Sequence, residues 1–197
     1  MDAELAEMLE DLYRRGREYD QTQPDRLNRW RNVEPETGQL MSVLIRALAP
    51  RRILELGTSN GYSAIWLADG ARATGGLVTS VEIDCDRSAQ ARQNLCRAGL
   101  EEFVELRVQD AGEVLAASED QSWDFIFLDA ERPAYAGYWP DLRRVLAARG
   151  LLIVDNVISH AAEVAEFRDL VAGDEAVTEA LAPTGAGALL LVREPSR

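Results

Sequence analysis

Ile53-Leu54-Glu55-Leu56-Gly57-Thr58-Ser59-Asn60-Gly61-Tyr62-Ser63 is the stretch from which the fold of this chain is read. Arg52 to Leu56 has the length and apolar content of a short buried strand; two glycines then interrupt it, and Tyr62 to Ala68 resumes as a helical run. A strand, a glycine-containing turn and a helix bring backbone N–H groups and a helix N-terminus up to a ligand. The next strand, Leu77 to Ile83, runs into Val81-Glu82-Ile83-Asp84, so Glu82 stands 25 residues after Gly57. A carboxylate at that distance, on the tip of a second strand, is placed to accept both hydroxyls of a ribose. The glycine spacing is G-x-x-x-G, which is not the G-x-G-x-x-G of a pyrophosphate-binding turn. Alone, the turn is equally a place where any α/β protein needs positive φ. With Glu82 it reads as the nucleoside half of a cofactor site.

At 197 residues, with 47% hydrophobic and 28% charged residues, the chain has the size and composition of a single globular domain, 1–197. No stretch approaches the roughly 18 apolar residues that span a bilayer. The N-terminus, Met1-Asp2-Ala3-Glu4-Leu5-Ala6-Glu7, is acidic and amphipathic, unlike a signal or transit peptide. Cys85 and Cys96 lack metal-ligand spacing and read as reduced thiols, so the expected compartment is the cytoplasm. A net charge of −13 disfavours a nucleic-acid partner, which needs clustered positive charge. The local exception is Arg14, Arg15, Arg17, Arg26, Arg29 and Arg31, a run that reads as a solvated face or as a phosphate contact. All 21 basic residues are arginine; the chain has no lysine.

Taken in order, residues 1–50 form an N-terminal helical layer and 51–197 a Rossmann-like core. Asp2 to Arg15 is expected as a helix with Leu5, Met8, Leu9 and Leu12 on one stripe. Thr22 to Asn32 is polar, with a short helix or ordered loop. Pro35 opens a second helix whose stripe is Leu40, Val43, Leu44, Ala47 and Leu48, stopped by Pro50. Strands are expected near 52–56, 77–83, 103–108, 123–129 and 150–155, and helices near 62–70, 87–98, 111–117 and 137–148. That alternation implies a doubly wound, mostly parallel sheet with helices on both faces. A helix at 161–172 and strands at 175–182 and 187–193 follow, making seven strands. The glycines in Pro183-Thr184-Gly185-Ala186-Gly187 read as a hairpin, so the last strand is antiparallel. The N-terminal helices have apolar stripes and no sheet of their own, which suggests a homodimer.

Ligands in such a sheet sit beyond the C-terminal strand ends, at the switch point. With strand order 3-2-1-4-5, strands 1 to 3 deliver Gly57 to Ser63, then Glu82 and Asp84, then Gln109 to Ala111. Strands 4 and 5 deliver Asp129 and then Asp155-Asn156. Three hard oxygens on two adjacent strand ends suit Mg²⁺ or Ca²⁺, although aspartates there also simply cap the next helix.

Val33-Glu-Pro-Glu-Thr-Gly-Gln39, Leu54 to Ser63, Val81 to Asp84, Phe125-Ile-Phe-Leu-Asp-Ala-Glu-Arg132, Tyr138 and Val154-Asp-Asn156 together resemble the cation-dependent, S-adenosylmethionine-dependent O-methyltransferases of the catechol and caffeoyl-CoA type. The resemblance covers roughly Val33 to Arg193 and implies the class I methyltransferase fold. It implies cofactor contacts from Val33, Glu55, Gly57, Ser59, Gly61, Ser63, Glu82, Asp110, Ala111 and Asp129, with Asp110 and Ala111 beside the adenine. It also implies a divalent cation (Mg²⁺, or Ca²⁺ or Mn²⁺) on Asp129, Asp155 and Asn156, and methyl transfer to a hydroxyl of a small catechol-like or phenolic acceptor. Asp129 and Arg132 are then the catalytic positions.

Two departures stand out. The family usually carries a lysine where this chain has Arg132, and arginine stays protonated, so Arg132 is expected to steady an anion rather than take a proton. The connection after Asn156 is short, which suggests an open acceptor pocket. His160, the single histidine, reads as a bystander or a general base. Tyr135, Tyr138 and Trp139 read as acceptor walls or as packing. Rival readings are a methyltransferase acting on an RNA base hydroxyl, a nicotinamide-dependent oxidoreductase lacking its glycine fingerprint, and a non-catalytic S-adenosylmethionine-binding protein.

Overall fold

The computed structural model describes residues 1–195. Helices α1 (Ala3–Thr22) and α2 (Pro35–Leu48) precede the core. The core alternates β1 (Arg52–Leu56), α3 (Tyr62–Thr74), β2 (Leu77–Glu82), α4 (Cys85–Arg97), β3 (Val104–Val108), α5 (Ala111–Ala117), β4 (Trp123–Leu128), α6 (Tyr135–Val145) and β5 (Leu146–Val154). Helix α7 (Ala165–Ala172) and the hairpin β6 (Val177–Ala182) and β7 (Ala188–Arg193) complete it. Strand order is β3-β2-β1-β4-β5-β7-β6, with β7 antiparallel to both neighbours and every other pairing parallel. The doubly wound seven-stranded sheet read from the sequence is therefore the observed one. No helix among the described residues is long and apolar enough to cross a membrane.

Strand side chains alternate between two cores, as the period of two requires. Ile53, Phe125, Phe127 and Ile153 face α1, α2 and α3, while Leu54, Leu56, Ile126, Leu152 and Val154 face α5, α6 and α7. Asp2, Asp84 and Asp110 cap α1, α4 and α5 by accepting first-turn backbone N–H groups.

Several boundaries differ from the sequence reading, each through a long-range contact. Helix α1 continues past Arg15 to Thr22, because Gly16 lies against Asn32 and Tyr19 stacks on Trp30 with ring centroids 4.2 Å apart. Helix α6 stops at Val145 rather than 148, since Leu146 already pairs with Trp123. Strand β5 then bulges through Arg149, at φ 63°, and resumes pairing at Leu151. Helix α7 starts at Ala165 rather than 161, because the N–H groups of Val157, Ile158 and Ser159 donate to Gly187 and Ala186 of the hairpin.

The buried face of α2 is also different. Thr37, Gly38, Met41, Ser42 and Ile45 are buried, whereas Val43 and Leu48 of the expected stripe are exposed. Gly38 packs on the Trp66 indole, and Ile45 packs on Gly70 of α3. Small residues on both helices permit a close approach, which a count of large apolar residues overlooks. Ile45→Ala is accordingly expected to cost about 2–5 kcal/mol of unfolding free energy in urea titrations, and Val43→Ala less than about 1 kcal/mol. The reverse order would mean that the helix is seated on its other face.

Candidate functional site

The strand ends open into a cavity of about 480 Å³, a volume within the range of small-molecule sites. Its floor is the turn after β1. Gly57 and Gly61 have φ of 106° and 86°, a region that β-carbon-bearing residues rarely occupy. A Cβ on Gly57 would also overlap the carbonyl of Asp129, so the turn after β1 and the end of β4 meet only because this residue is glycine. Gly61 begins α3 and backs onto Ala91 of α4.

Glu82, at the end of β2, accepts the Ser59 N–H at 2.8 Å through one oxygen and the Asp84 N–H at 3.0 Å through the other. Both oxygens keep lone pairs free, and the carboxylate stays fixed beside the turn. Gly57, Ser59, Ser63, Glu82, Asp110 and Ala111 all line the cavity, as does Val33. Gly61 and Glu55 do not. Glu55 is fully buried beneath the turn, bonded to Ser80, and burial with the nearby Glu82 charge raises its pKa to about 7. Its contribution is to the shape of the turn.

The other half of the cavity holds Asp129, Arg132, Asp155 and Asn156. The Asn156 amide donates to Asp129 at 3.0 Å and to Asp155 at 3.0 Å. It does so from a left-handed backbone, φ 67°, a conformation asparagine tolerates better than most residues. Burial and the facing Asp155 push the Asp129 carboxyl well above its ordinary range, against the pull of Arg31 and Arg132. Asp155, buried likewise, is raised to about 6. Its Oδ1 has no hydrogen-bond partner. Two crowded acids, one with an orphaned buried oxygen, and an amide whose oxygen becomes available on rotation about its last bond are a donor set that fits a hard divalent cation. The Asp84-Cys85-Asp86 cluster is exposed, and Asp84 there serves as the α4 cap.

The cavity roof comes from residues 26–34; the polar stretch Thr22 to Asn32, expected as a short helix or an ordered loop, holds a single 3-10 turn at Arg26–Asn28 and then continues without helix or strand to Val33. Asp20 accepts the N–H groups of Trp30 and Arg31 at 2.7 and 2.9 Å, and Ser59 Oγ donates to the Trp30 carbonyl at 2.7 Å. Arg31, Trp30 and Glu34 thereby line the cavity. No local periodicity signals this, because the partners lie elsewhere in the chain. The arginine run is not a free cationic face. Arg14 pairs with Asp11 and Glu18, and Arg15 with Asp11. Arg26 and Arg31 pair with Glu131, and Arg29 donates to the Gln23 carbonyl.

Of the three aromatic residues read as acceptor walls or packing, Tyr135 and Trp139 pack on Phe167 in the core, and Tyr138 lines the cavity, on the Asp110 side. His160 lines it too; burial and then the charges of Arg132, Arg26 and Arg31 lower its pKa.

The O-methyltransferase family model matches residues 2–193. Among similar proteins, a catechol O-methyltransferase of Niastella koreensis is 35% identical over 130 residues, covering 64% of this chain and 58% of that protein. A catechol O-methyltransferase of Mycobacterium tuberculosis is 35% identical over 137 residues, covering 70% and 62%. The chain thus spans about three fifths of the length of these two relatives. The crystal structure of the O-methyltransferase from Bacillus cereus in complex with SAH superposes with a TM-score of 0.79 at 26% identity, covering 95% of this chain and 91% of that one.

The raised Asp155 pKa has a consequence for stability. Folded Asp155 holds its proton to about pH 6, whereas the unfolded carboxyl releases it near its ordinary value of 3.8. Between those values the unfolded state binds fewer protons, so this group's contribution to stability falls as pH rises from about 4 to about 6. Melting temperatures in chelator should therefore drop across that window, and Asp155→Asn should flatten the drop. An unchanged profile in Asp155→Asn would remove Asp155 as its source.

Proposed function

The chain belongs to the O-methyltransferase family, and from that premise we propose that it transfers the methyl group of S-adenosylmethionine to a hydroxyl of a small catechol-like or phenolic acceptor, with a divalent cation assisting. The observation that carries the reading is the adjacency, in one cavity, of the Glu82 turn and the Asp129–Asp155–Asn156 cluster. The Bacillus cereus relative supports the cofactor, and the catechol O-methyltransferases support the acceptor class.

In this reading Glu82 takes the ribose hydroxyls, the backbone from Gly57 to Ser63 lies under the methionine portion, and Asp110 and Ala111 flank the adenine. The sulfonium supplies the electrophilic methyl group. Asp129, Asp155 and Asn156 hold the cation, with Mg²⁺ the best match to all-oxygen ligands and Ca²⁺ and Mn²⁺ as rivals. When bound, such an ion lowers the pKa of a coordinated hydroxyl. Arg132, buried at 4% exposure and always charged, stabilises negative charge developing on the acceptor. Val33 and the roof segment hold the acceptor against the cofactor and exclude water, and that alignment supplies much of the rate. A homodimer belongs to the same proposal, supported by the exposed Val43 and Leu48 on α2.

The test is methyl transfer from S-adenosylmethionine to a panel of catechols and monophenols, with added Mg²⁺ and with chelator. Transfer to catechols is expected to fall at least about 100-fold in chelator and in Asp155→Asn. Glu82→Ala should raise the cofactor Kd about tenfold or more. Full activity in chelator would sink the cation assignment, and no transfer to any phenol would sink the acceptor class.

A further inference from the structure

A chain of charges closes the roof over the acceptor half of the cavity. Arg31 Nη2 donates to Glu131 at 2.6 Å, and Arg26 reaches the same glutamate at 3.2 Å. Arg26 also contacts Glu163 at 3.4 Å, and Glu163 accepts from Arg132 Nε at 3.0 Å. Three guanidinium groups thus share the Glu131 and Glu163 carboxylates, on a cavity wall that also carries Asp129 and Asp155.

Part of their donor capacity borders the cavity. Arg132 is only 4% exposed, and among the described residues its one hydrogen bond is through Nε, so both Nη atoms lack protein partners. Arg31 likewise uses only Nη2 for its side-chain bond, leaving Nε and Nη1 without partners among the described residues. Both residues line the cavity. Guanidinium donors that border a cavity without a protein acceptor are available to a ligand, and their paired N–H groups match a planar anion. Arg31 is held there at a cost in backbone strain: its φ is 52°, and Asp20 clamps its N–H and that of Trp30. Arg132 follows Asp129 by three residues and Arg31 pairs with Glu131, so both stand at the β4 end of the cavity.

We propose that Arg31 and Arg132 form a carboxylate clamp, so that the acceptor is a vicinal diol phenol bearing an anionic carboxylate. This rests on the catechol-like reading above and narrows it. Lysine at either place would offer a point charge; arginine offers the paired, planar donors that a carboxylate fits. An acidic protein otherwise repels such a substrate, and a local cationic wall offsets that repulsion at the entrance.

The experiment compares 3,4-dihydroxybenzoate with its methyl ester, by calorimetric binding to the full chain with Mg²⁺ and S-adenosylhomocysteine and by kcat/KM for methyl transfer. The acid is expected to bind at least about tenfold more tightly than the ester, the scale of one charge-assisted bond. Arg31→Gln should bring the ratio close to one, and Arg31→Lys should retain part of it. Arg14→Gln, the same charge change on the outer face of α1, should leave the ratio intact. Raising salt from about 0.05 to 0.5 M should shrink the wild-type ratio. Equal binding of acid and ester by the wild type, or an undiminished ratio in Arg31→Gln, overturns the clamp. Should Arg31→Gln fail to fold, the wild-type ratio and its salt dependence decide the matter. Absence of methyl transfer to both compounds counts against the acceptor reading alone, since binding reports on the clamp independently of turnover.

Discussion

The contact between Gly57 and the carbonyl of Asp129 is the constraint from which the site follows. It is one of a series of rungs that run a single residue beyond the regular strands. Gly57 N–H donates to Val81, Gln109 to Glu82, Asp129 to Leu56 and Asp155 to Leu128, at 2.9 to 3.1 Å. Gly57, Gln109, Asp129 and Asp155, which line the cavity, are therefore fixed by the sheet although they lie just beyond its strands. Parallel strands place all these ends on one side, and the order β2-β1-β4 splits the helices to opposite faces at β1, which leaves a crevice there. A side chain at Gly57 would force β1 and β4 apart and separate the Glu82 half of the cavity from the Asp129 half.

Unfavourable features gather where the sheet is best able to hold them. Asp129 and Asp155 face one another in burial, Glu55 is sealed beneath the turn, and Ser59, Asn156 and Arg31 adopt positive φ. None of these improves the stability of the empty protein. The two cores on either side, built from fully buried residues such as Ile53, Phe127, Leu152 and Val154, offset them. Ala49, Gln121 and Arg149 also adopt positive φ, at a helix end, a turn and a strand bulge, so it is the convergence of strain with buried acids that singles out the cavity.

Alternation of strand and helix, the glycine turn, Glu82 and the acids at the ends of β4 and β5 were all legible, because each is encoded within a few residues. What escaped reading depends on partners far along the chain. The buried face of α2 follows from the close approach of Gly38 to Trp66 and of Gly70 to Ile45, so large apolar residues were a misleading guide. The start of α7 was missed because residues 157–159 bond to the hairpin, and the roof because its anchors are Asp20, Ser59 and Glu131. Tyr135 and Trp139 carried the right chemistry for an acceptor wall, but Phe167 of α7 takes them into the core. Periodicity reports which residues are apolar; only tertiary packing decides which neighbour covers them.

Arginine at position 132 divides roles along the acceptor wall. A guanidinium that is 96% buried, hydrogen-bonded through Nε to Glu163 and permanently charged can hold an anion but cannot receive a proton. Burial, and then its charge with those of Arg26 and Arg31, lowers the pKa of His160 on the same wall against the pull of Glu163. His160 is hydrogen-bonded at Nδ1 to Ser159 at 2.8 Å, and a neutral ring is able to accept a proton where arginine is not. The cluster that would attract an anionic acceptor thus also disfavours the charged form of the one histidine in the chain.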